Sequence, residues 1–425
     1  MKKNFEKTDE NVVDIYDISY EGAGVGRIGG KIVFVPKTLK NEQVKVSILK
    51  NTSSFLIGKV TEILQASGER KTPKCPYFDE CGGCDFQHCE YKTEKQMKID
   101  ILKNQLRKVG FEGEVGFVES DKRFGYRNKI KLEIRDGKVG YFQAKSREFL
   151  AVESCVIATP LINDCIKIIQ KFLQSGRLVG AKAVYVKQVE EAVAVCFLFD
   201  KTREKVLKNM PNFDVFGEFL VYFAFGEVLE SNSTKIVKVY GDSKLTLDLG
   251  GKEVEIEVSA FNQINDFIAG KLYDYVTDFC KGKRVVNGYS GQGFLTYKIA
   301  QNAKFVYGIE YQNSAHKSAE MLANSFKGYK IQNFCGRVED CLPEILTKDR
   351  IDVLVLDPPR EGCARQVLDA ITLGKLEQVI YTSCNFSTLV RDLQVLKNSY
   401  KIESVKIFDM FPCCCVMETV VVLKK

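Results

Sequence analysis

Ile351-Asp352-Val353-Leu354-Val355-Leu356-Asp357-Pro358-Pro359-Arg360, then a helix-sized interval, then Val379-Ile380-Tyr381-Thr382-Ser383-Cys384-Asn385 decide how this chain folds. Two apolar runs of strand length are each closed by a polar cluster, with helical spacing between them. That is the grammar of a parallel βαβ unit. Open α/β sheets bind ligands outside the carboxyl ends of their strands, which sends Asp357 and Cys384 to one crevice. Singly they read as a turn acid and a buried thiol. At matching strand ends, a carboxylate and a cysteine point to covalent chemistry on a bound substrate.

Upstream, Arg284-Val285-Val286-Asn287-Gly288-Tyr289-Ser290-Gly291-Gln292-Gly293 reads as a strand and a glycine-rich turn, and Leu295 to Ala300 opens a helix. Such a turn brings backbone close to a nucleotide-like ligand. The next strand, Phe305-Val306-Tyr307-Gly308-Ile309-Glu310, ends in an acid suited to a ribose diol. A Gly-x-Gly alone says little. With Glu310 it describes a Rossmann-type cofactor site, and residues 261–425 are expected to form an α/β domain of that type.

The 425 residues are 45% hydrophobic and 28% charged, an ordinary globular balance, and exceed one domain. Lys+Arg 62 against Asp+Glu 55 leaves +7, which permits a polyanionic partner without requiring one. The charged start and the lack of an uninterrupted apolar 18-mer predict a cytoplasmic protein with no membrane segment. Fifteen cysteines in that compartment argue for metal or catalysis rather than disulfides. Only His88 and His316 are available, too few for a histidine-rich metal site or a Ser-His triad.

Residues 1–66 carry short β-type runs at Val12–Ile18, Lys31–Val35, Val44–Ile48 and Leu56–Ile63, broken by Gly22-Ala23-Gly24-Val25-Gly26 and Gly29-Gly30. A small OB-fold barrel is expected. Its Arg27, Lys31, Lys37, Lys40, Lys45, Lys50 and Lys59 suit either a nucleic-acid surface or a solvated basic face. Next come Cys75, Cys81 and Cys84 as C-x5-C-x2-C, with Gly82-Gly83 letting the backbone fold round a cluster. Four thiolates at one site mean zinc or iron–sulfur, and this spacing is not the paired C-x2-C of a zinc ribbon. Cys89 and Cys155 are both candidates for the fourth ligand.

Residues 67–260 read as a mixed α+β segment, whose helix at about 92–109 is a candidate for docking on the catalytic domain. The stretch Lys122-Arg123-Phe124-Gly125-Tyr126-Arg127-Asn128-Lys129-Ile130-Lys131 interleaves basic and aromatic residues. It suits RNA contact or a charged strand face equally. Ala183–Val189 and Ala192–Phe199 form a predicted hairpin, with further strands at Glu218–Phe225 and Leu245–Leu249.

Taken together, the Cys-x5-Cys-Gly-Gly-Cys-x2-Gln-His string, the later Cys155, Asp357-Pro358-Pro359-Arg360 and Ser383-Cys384-Asn385 resemble the RNA (uracil-5-)-methyltransferases. The likeness spans nearly the whole chain, and residues 1–66 resemble the TRAM domain, an RNA-binding barrel. It implies methyl transfer from S-adenosylmethionine to carbon 5 of a uridine, ribosomal RNA preferred and transfer RNA possible, by a protein expected to be monomeric. In the iron–sulfur 23S ribosomal RNA branch the matching cysteines hold [4Fe–4S], which carries over to Cys75, Cys81, Cys84 and Cys155. It assigns Cys384 as nucleophile, Glu418 as the base for the C5 proton, and Gln263, Tyr289, Glu310 and Asp357 to the cofactor. Departures stand beside these matches. Asn287 and Ser290 replace the usual Asp and Cys, Phe386 follows Ser-Cys-Asn in place of Pro, and Cys414 and Val416 stand where Thr and His are common. They leave open a rival, an RNA-binding iron–sulfur protein whose methyltransferase site has decayed.

Overall fold

A computed structural model describes residues 11–176, 178–208, 210–249 and 251–425. The N-terminal strands, Asn11–Asp14, Asp17–Ile18, Gly24–Ile28, Lys31–Val35, Gln43–Asn51 and Phe55–Gln65, form one sheet. The sheet closes on itself, since Tyr16 N donates to Val25 O at 3.0 Å and Ile15 N to Glu42 O at 2.8 Å. Closure needs glycine at 26, because a Cβ there would sit 2.1 Å from Val13 Cγ1. Alternating inward residues Val13, Ile15, Val33, Val35, Val44, Val46 and Leu56 fill the interior. All four expected runs are strands, and the first breaks at Ile15-Tyr16.

The barrel is fastened to the cysteine-bearing segment. Buried Glu42 pairs with Arg70 and accepts from Leu39 N at 2.8 Å and Ser67 N at 3.2 Å. Lys37 Nζ donates to Phe78 O and lies 4.8 Å from the Phe78 ring centroid.

A seven-stranded central sheet runs in the order 149–151, 138–142, 129–135, 183–189, 192–199, 220–225 and 235–240. The predicted hairpin is there, turning at Glu190 with φ +51°. Helix Pro160–Gln174 is capped by Thr159 and lays Ile162, Ile166, Ile169 and Phe172 against Phe197, Phe216 and Phe223.

The third sheet has the order 331–335, 305–310, 284–288, 353–356, 378–383, 418–424, 401–408 and 115–118. Its first five strands are parallel, and 418–424 runs antiparallel beside 378–383. Strand order reverses around 284–288, which is where such sheets open a ligand crevice. The helix expected at about 92–109 spans Tyr91–Leu106 and does dock here. Its Lys98, fully buried, reaches Glu94 at 2.8 Å, Asp409 at 2.7 Å and the Phe411 carbonyl at 3.1 Å. Strand Val115–Val118 then pairs with 401–408. So residues 91–118, central by sequence position, travel with the catalytic sheet.

Inward contacts take up much of the basic–aromatic stretch. Arg123 pairs with Glu94 and donates to the carbonyls of Cys89 and Phe86. Tyr126, buried, donates to Pro412 O at 2.9 Å, and Asn128 donates to Gln263 O at 3.0 Å. These side chains join segments. Among the described residues no helix is long and apolar enough to cross a membrane.

Candidate active site

Sheet register gathers the chemistry. Gly288 pairs with Leu356, Leu356 with Tyr381, and Ser383 with Thr419. Tyr289, Asp357, Cys384 and Glu418 therefore sit at or just beyond one end of four neighbouring strands. Burial pushes the Asp357 carboxyl up to about 7. Glu418 is pushed well above the carboxylate range by burial and then by the charge of Asp357. The Cys384 thiol is raised to about 11 by burial and Glu418, against a downward pull from Arg360. Tyr273, on helix Asp266–Asp278, borders both carboxylates and is raised first by burial and then by them. No motif flagged Tyr273, which sits mid-helix, and Arg360 enters the sequence reading only as the end of the Asp357-Pro358-Pro359-Arg360 string, with no role assigned to its side chain.

Buried polar atoms without a hydrogen-bond partner among the described residues include Ser290 Oγ, Thr382 Oγ1, Glu418 Oε1 and Thr419 Oγ1, all at this strand end. Native interiors seldom tolerate such atoms away from functional sites.

The cofactor half is built on the glycine turn. Glu310 accepts from Gly291 N at 2.8 Å and Gln312 N at 2.6 Å, so its carboxylate braces the turn it faces. Gly291 has φ +56° with open space where a Cβ would be, and Gly293 packs so closely that a Cβ would meet Ala319 Cβ at 3.0 Å. Buried Gln292 donates to Asn262 Oδ1 at 2.8 Å and accepts from Glu257 N at 3.2 Å, clamping the segment that precedes Gln263. Gln263 is itself buried. Tyr289 has φ +63° in the turn, while its ring packs on the catalytic core and its phenol is raised by burial and by Cys363. Its backbone is in the crevice; its phenol turns to Cys363. Asn287 donates to Thr296 Oγ1 at 2.9 Å, a bond that uses the amide hydrogen an aspartate lacks.

The metal candidates form a second site. Cys75, Cys81, Cys84 and Cys155 line one cavity of about 290 Å³ together with Arg127, Tyr141 and Gln87. Gly83 N donates to Cys81 Sγ at 3.4 Å, the amide-to-sulfur contact that the Gly82-Gly83 pair allows. Among the described residues no group of three or more His, Cys, Asp or Glu side chains is arranged to hold a metal ion. Cys89 faces elsewhere, buried with Leu39 and Phe86, its thiol donating to Phe86 O at 3.2 Å. The departure at Cys414 belongs to this neighbourhood, since its thiol donates to Gly83 O at 3.1 Å.

Comparison with known proteins agrees with this architecture. The tRNA (Uracil-5-)-methyltransferase family profile matches residues 90–425 and the TRAM domain profile matches 9–61. An uncharacterized RNA methyltransferase of Aquifex aeolicus is 30% identical, with 95% of this chain and 96% of that protein covered. A 23S rRNA (uracil(1939)-C(5))-methyltransferase of Mannheimia succiniciproducens is 27% identical over 98% of this chain and 96% of that one. The crystal structure of Pyrococcus abyssi tRNA (uracil-54, C5)-methyltransferase with S-adenosyl-L-homocysteine shares the fold, with TM-score 0.77, 21% identity, and 98% and 100% of the two chains covered. The chain belongs to the tRNA (uracil-5-)-methyltransferase family and is an RNA (uracil-5-)-methyltransferase with an N-terminal TRAM domain.

Proposed function

We propose that this enzyme methylates C5 of a uridine in 23S ribosomal RNA, with Cys384 as nucleophile and Glu418 as the base. Uracil C5 is a poor nucleophile until C6 is attacked. Addition of the Cys384 thiolate at C6 would place an enolate across C4, C5 and O4, and Arg360 beside the sulfur favours the thiolate. S-adenosylmethionine, when bound, supplies the electrophilic methyl group. Glu418 would then take the C5 proton, so that the cysteine is expelled and the ring restored. A carboxyl held above its usual range by a dry site and a neighbouring acid is a stronger base than an exposed one. Gln263, Glu310 and Asp357, with the backbone at Tyr289, would hold the cofactor around the Gly291 turn. One observation carries the reading: the sheet register gathers Asp357, Cys384 and Glu418 at the same end of three neighbouring strands.

Support for 23S rRNA is the Mannheimia relative, named for that substrate and matched nearly end to end. Transfer RNA is the second reading, since the family profile is named for it. Mapping 5-methyluridine in 23S rRNA and tRNA from cells with and without this protein tests both, and a site lost only from tRNA overturns the first.

The four-cysteine cavity fits a polynuclear cluster better than a single ion. Its four thiols line one cavity, an amide is aimed at one sulfur, and Arg127 places positive charge beside the anionic ligands such a cluster needs. We assign Cys75, Cys81, Cys84 and Cys155 to [4Fe–4S], which would tie the 75–84 loop to the central domain. All fifteen cysteines are free thiols, in keeping with a cytoplasmic setting, and we take the working unit to be a monomer.

A further inference from the structure

A loop of the barrel reaches the rim of the catalytic crevice. Ile18 packs on the catalytic core. Four residues later, Gly22, at φ +76°, sits so close that a Cβ would lie 2.9 Å from Cys415 Cβ and 3.1 Å from Phe86 Cζ. Between these anchors Tyr20 meets Phe386 edge to face, centroids 6.0 Å apart at 80°. Phe386 is two residues past Cys384 and opens helix Phe386–Leu396, capped by Asn385. Asn385 Nδ2 and Thr388 Oγ1 both donate to Arg360 O, at 2.8 and 3.1 Å, holding the exposed Arg360 at the same rim. Tyr20 nonetheless stays 50% exposed. Among the described residues its hydroxyl has no hydrogen-bond partner. A half-exposed tyrosine ring, flanked by two anchored residues and meeting Phe386 two residues past Cys384, is placed for a planar ligand.

We propose that Tyr20 and Phe386 form a two-domain stacking platform for the nucleobase next to the target uridine. Turning a base out of its stack breaks contacts with its neighbours. An aromatic surface at the crevice mouth replaces that lost stacking for the neighbour that stays behind. Stacking of this kind tolerates any base, because each has a π-face, so the platform governs binding rather than the chemistry at C5. The inference rests on the RNA uridine reading above.

Full-length parent, Tyr20→Ala, Tyr20→Phe and Phe386→Leu proteins would be tested with single-stranded oligoribonucleotides. Each oligonucleotide carries one uridine, with 2-aminopurine immediately 5′ or 3′ to it. Quenching of 2-aminopurine reports stacking, and transfer of labelled methyl to the same RNA gives KM. The parent should quench at one of the two positions. Tyr20→Ala and Phe386→Leu should lose that quenching and raise KM on the order of tenfold. Tyr20→Phe should keep both, with melting temperatures matching the parent in all variants. Absent quenching in the parent, or quenching and KM unchanged in Tyr20→Ala, overturns the platform. An equal loss in Tyr20→Phe overturns it too, since that would implicate the hydroxyl. If the parent quenches yet methylates no RNA, the platform stands and the methyltransferase reading fails. If it methylates without quenching, only the platform fails.

Discussion

Cys384 and Glu418 lie one step beyond the last paired residues, Ser383 and Thr419, of two antiparallel strands. A thiol at the end of one strand and an acid at the start of its partner are thus neighbours although they stand 34 positions apart in sequence. Strand pairing holds them without any bond between the two side chains, and among the described residues the buried Glu418 Oε1 has no hydrogen-bond partner. The three thiols before Glu418 lie in the turn between strands 401–408 and 418–424. Cys413 N donates to Glu94, Cys414 Sγ to Gly83 O, and Cys415 N to Asp85, so this triplet faces the cysteine loop.

That arrangement makes the two single mutants fail differently. Cys384→Ala should form no RNA adduct and no product. Glu418→Gln should add to the base and stall, leaving protein covalently joined to RNA. RNA containing 5-fluorouridine should trap the parent in the same way, because fluorine cannot leave as a cation. Peptide mapping is expected to find the nucleotide on Cys384; attachment to Cys413, Cys414 or Cys415 would show the nucleophile misassigned.

The carboxyl pair gives stability a pH dependence of definite sign. Asp357 rises from an ordinary 3.8 to about 7 on folding, so the folded state binds more protons than the unfolded one between those values. Its penalty is absent below about pH 4, grows as pH rises, and is complete above about 7. Asp357→Asn should therefore gain on the parent as pH increases from 4 to 8, by a few kcal/mol. Urea titrations of both proteins across that range check it, and a constant difference would refute it.

Lys98 is the keystone of a buried ionic cluster with Glu94 and Asp409, which Arg123 and the Tyr91 hydroxyl extend. Lys98→Met strands two carboxylates in the interior. The expected cost is about 3–5 kcal/mol, read as a lowered denaturation midpoint. Lys95→Met, whose partner Glu119 is exposed, should cost less than about 1 kcal/mol.

For the cysteine cavity, anaerobically purified parent should contain iron and sulfide in equal amounts. Cys155→Ser should lose both, whereas Cys89→Ser should keep both because Cys89 faces Leu39 and Phe86 instead of the cavity. Stoichiometric zinc without sulfide would contradict the cluster assignment.

Cofactor affinity tests the glycine turn. Glu310→Ala removes the acceptor for Gly291 N and Gln312 N as well as the proposed ribose contact. Binding of S-adenosylmethionine by calorimetry should weaken at least tenfold, about 1.4 kcal/mol or more. Undiminished affinity would remove Glu310 from the site.

Local pattern alone determined a good deal of this protein. Apolar runs closed by polar clusters marked the strands ending at Leu356 and Ser383, glycine spacing marked the turn before residue 294, and the 183–199 hairpin was readable to its bounds. These signals are legible because strand and turn preferences act over a few neighbouring residues. Only the tertiary structure decided which distant segments share a surface. It sent residues 91–118 to the catalytic sheet, turned Arg123 and Tyr126 inward, and left Cys89 out of the cavity that holds Cys155. It also brought Tyr20 of the barrel against Phe386, two residues past Cys384. Those outcomes depend on burying one particular charge or ring against residues from about 30 to more than 300 positions away, as Arg123 against Glu94 and Lys98 against Asp409 show, and no periodicity along the chain encodes such a pairing.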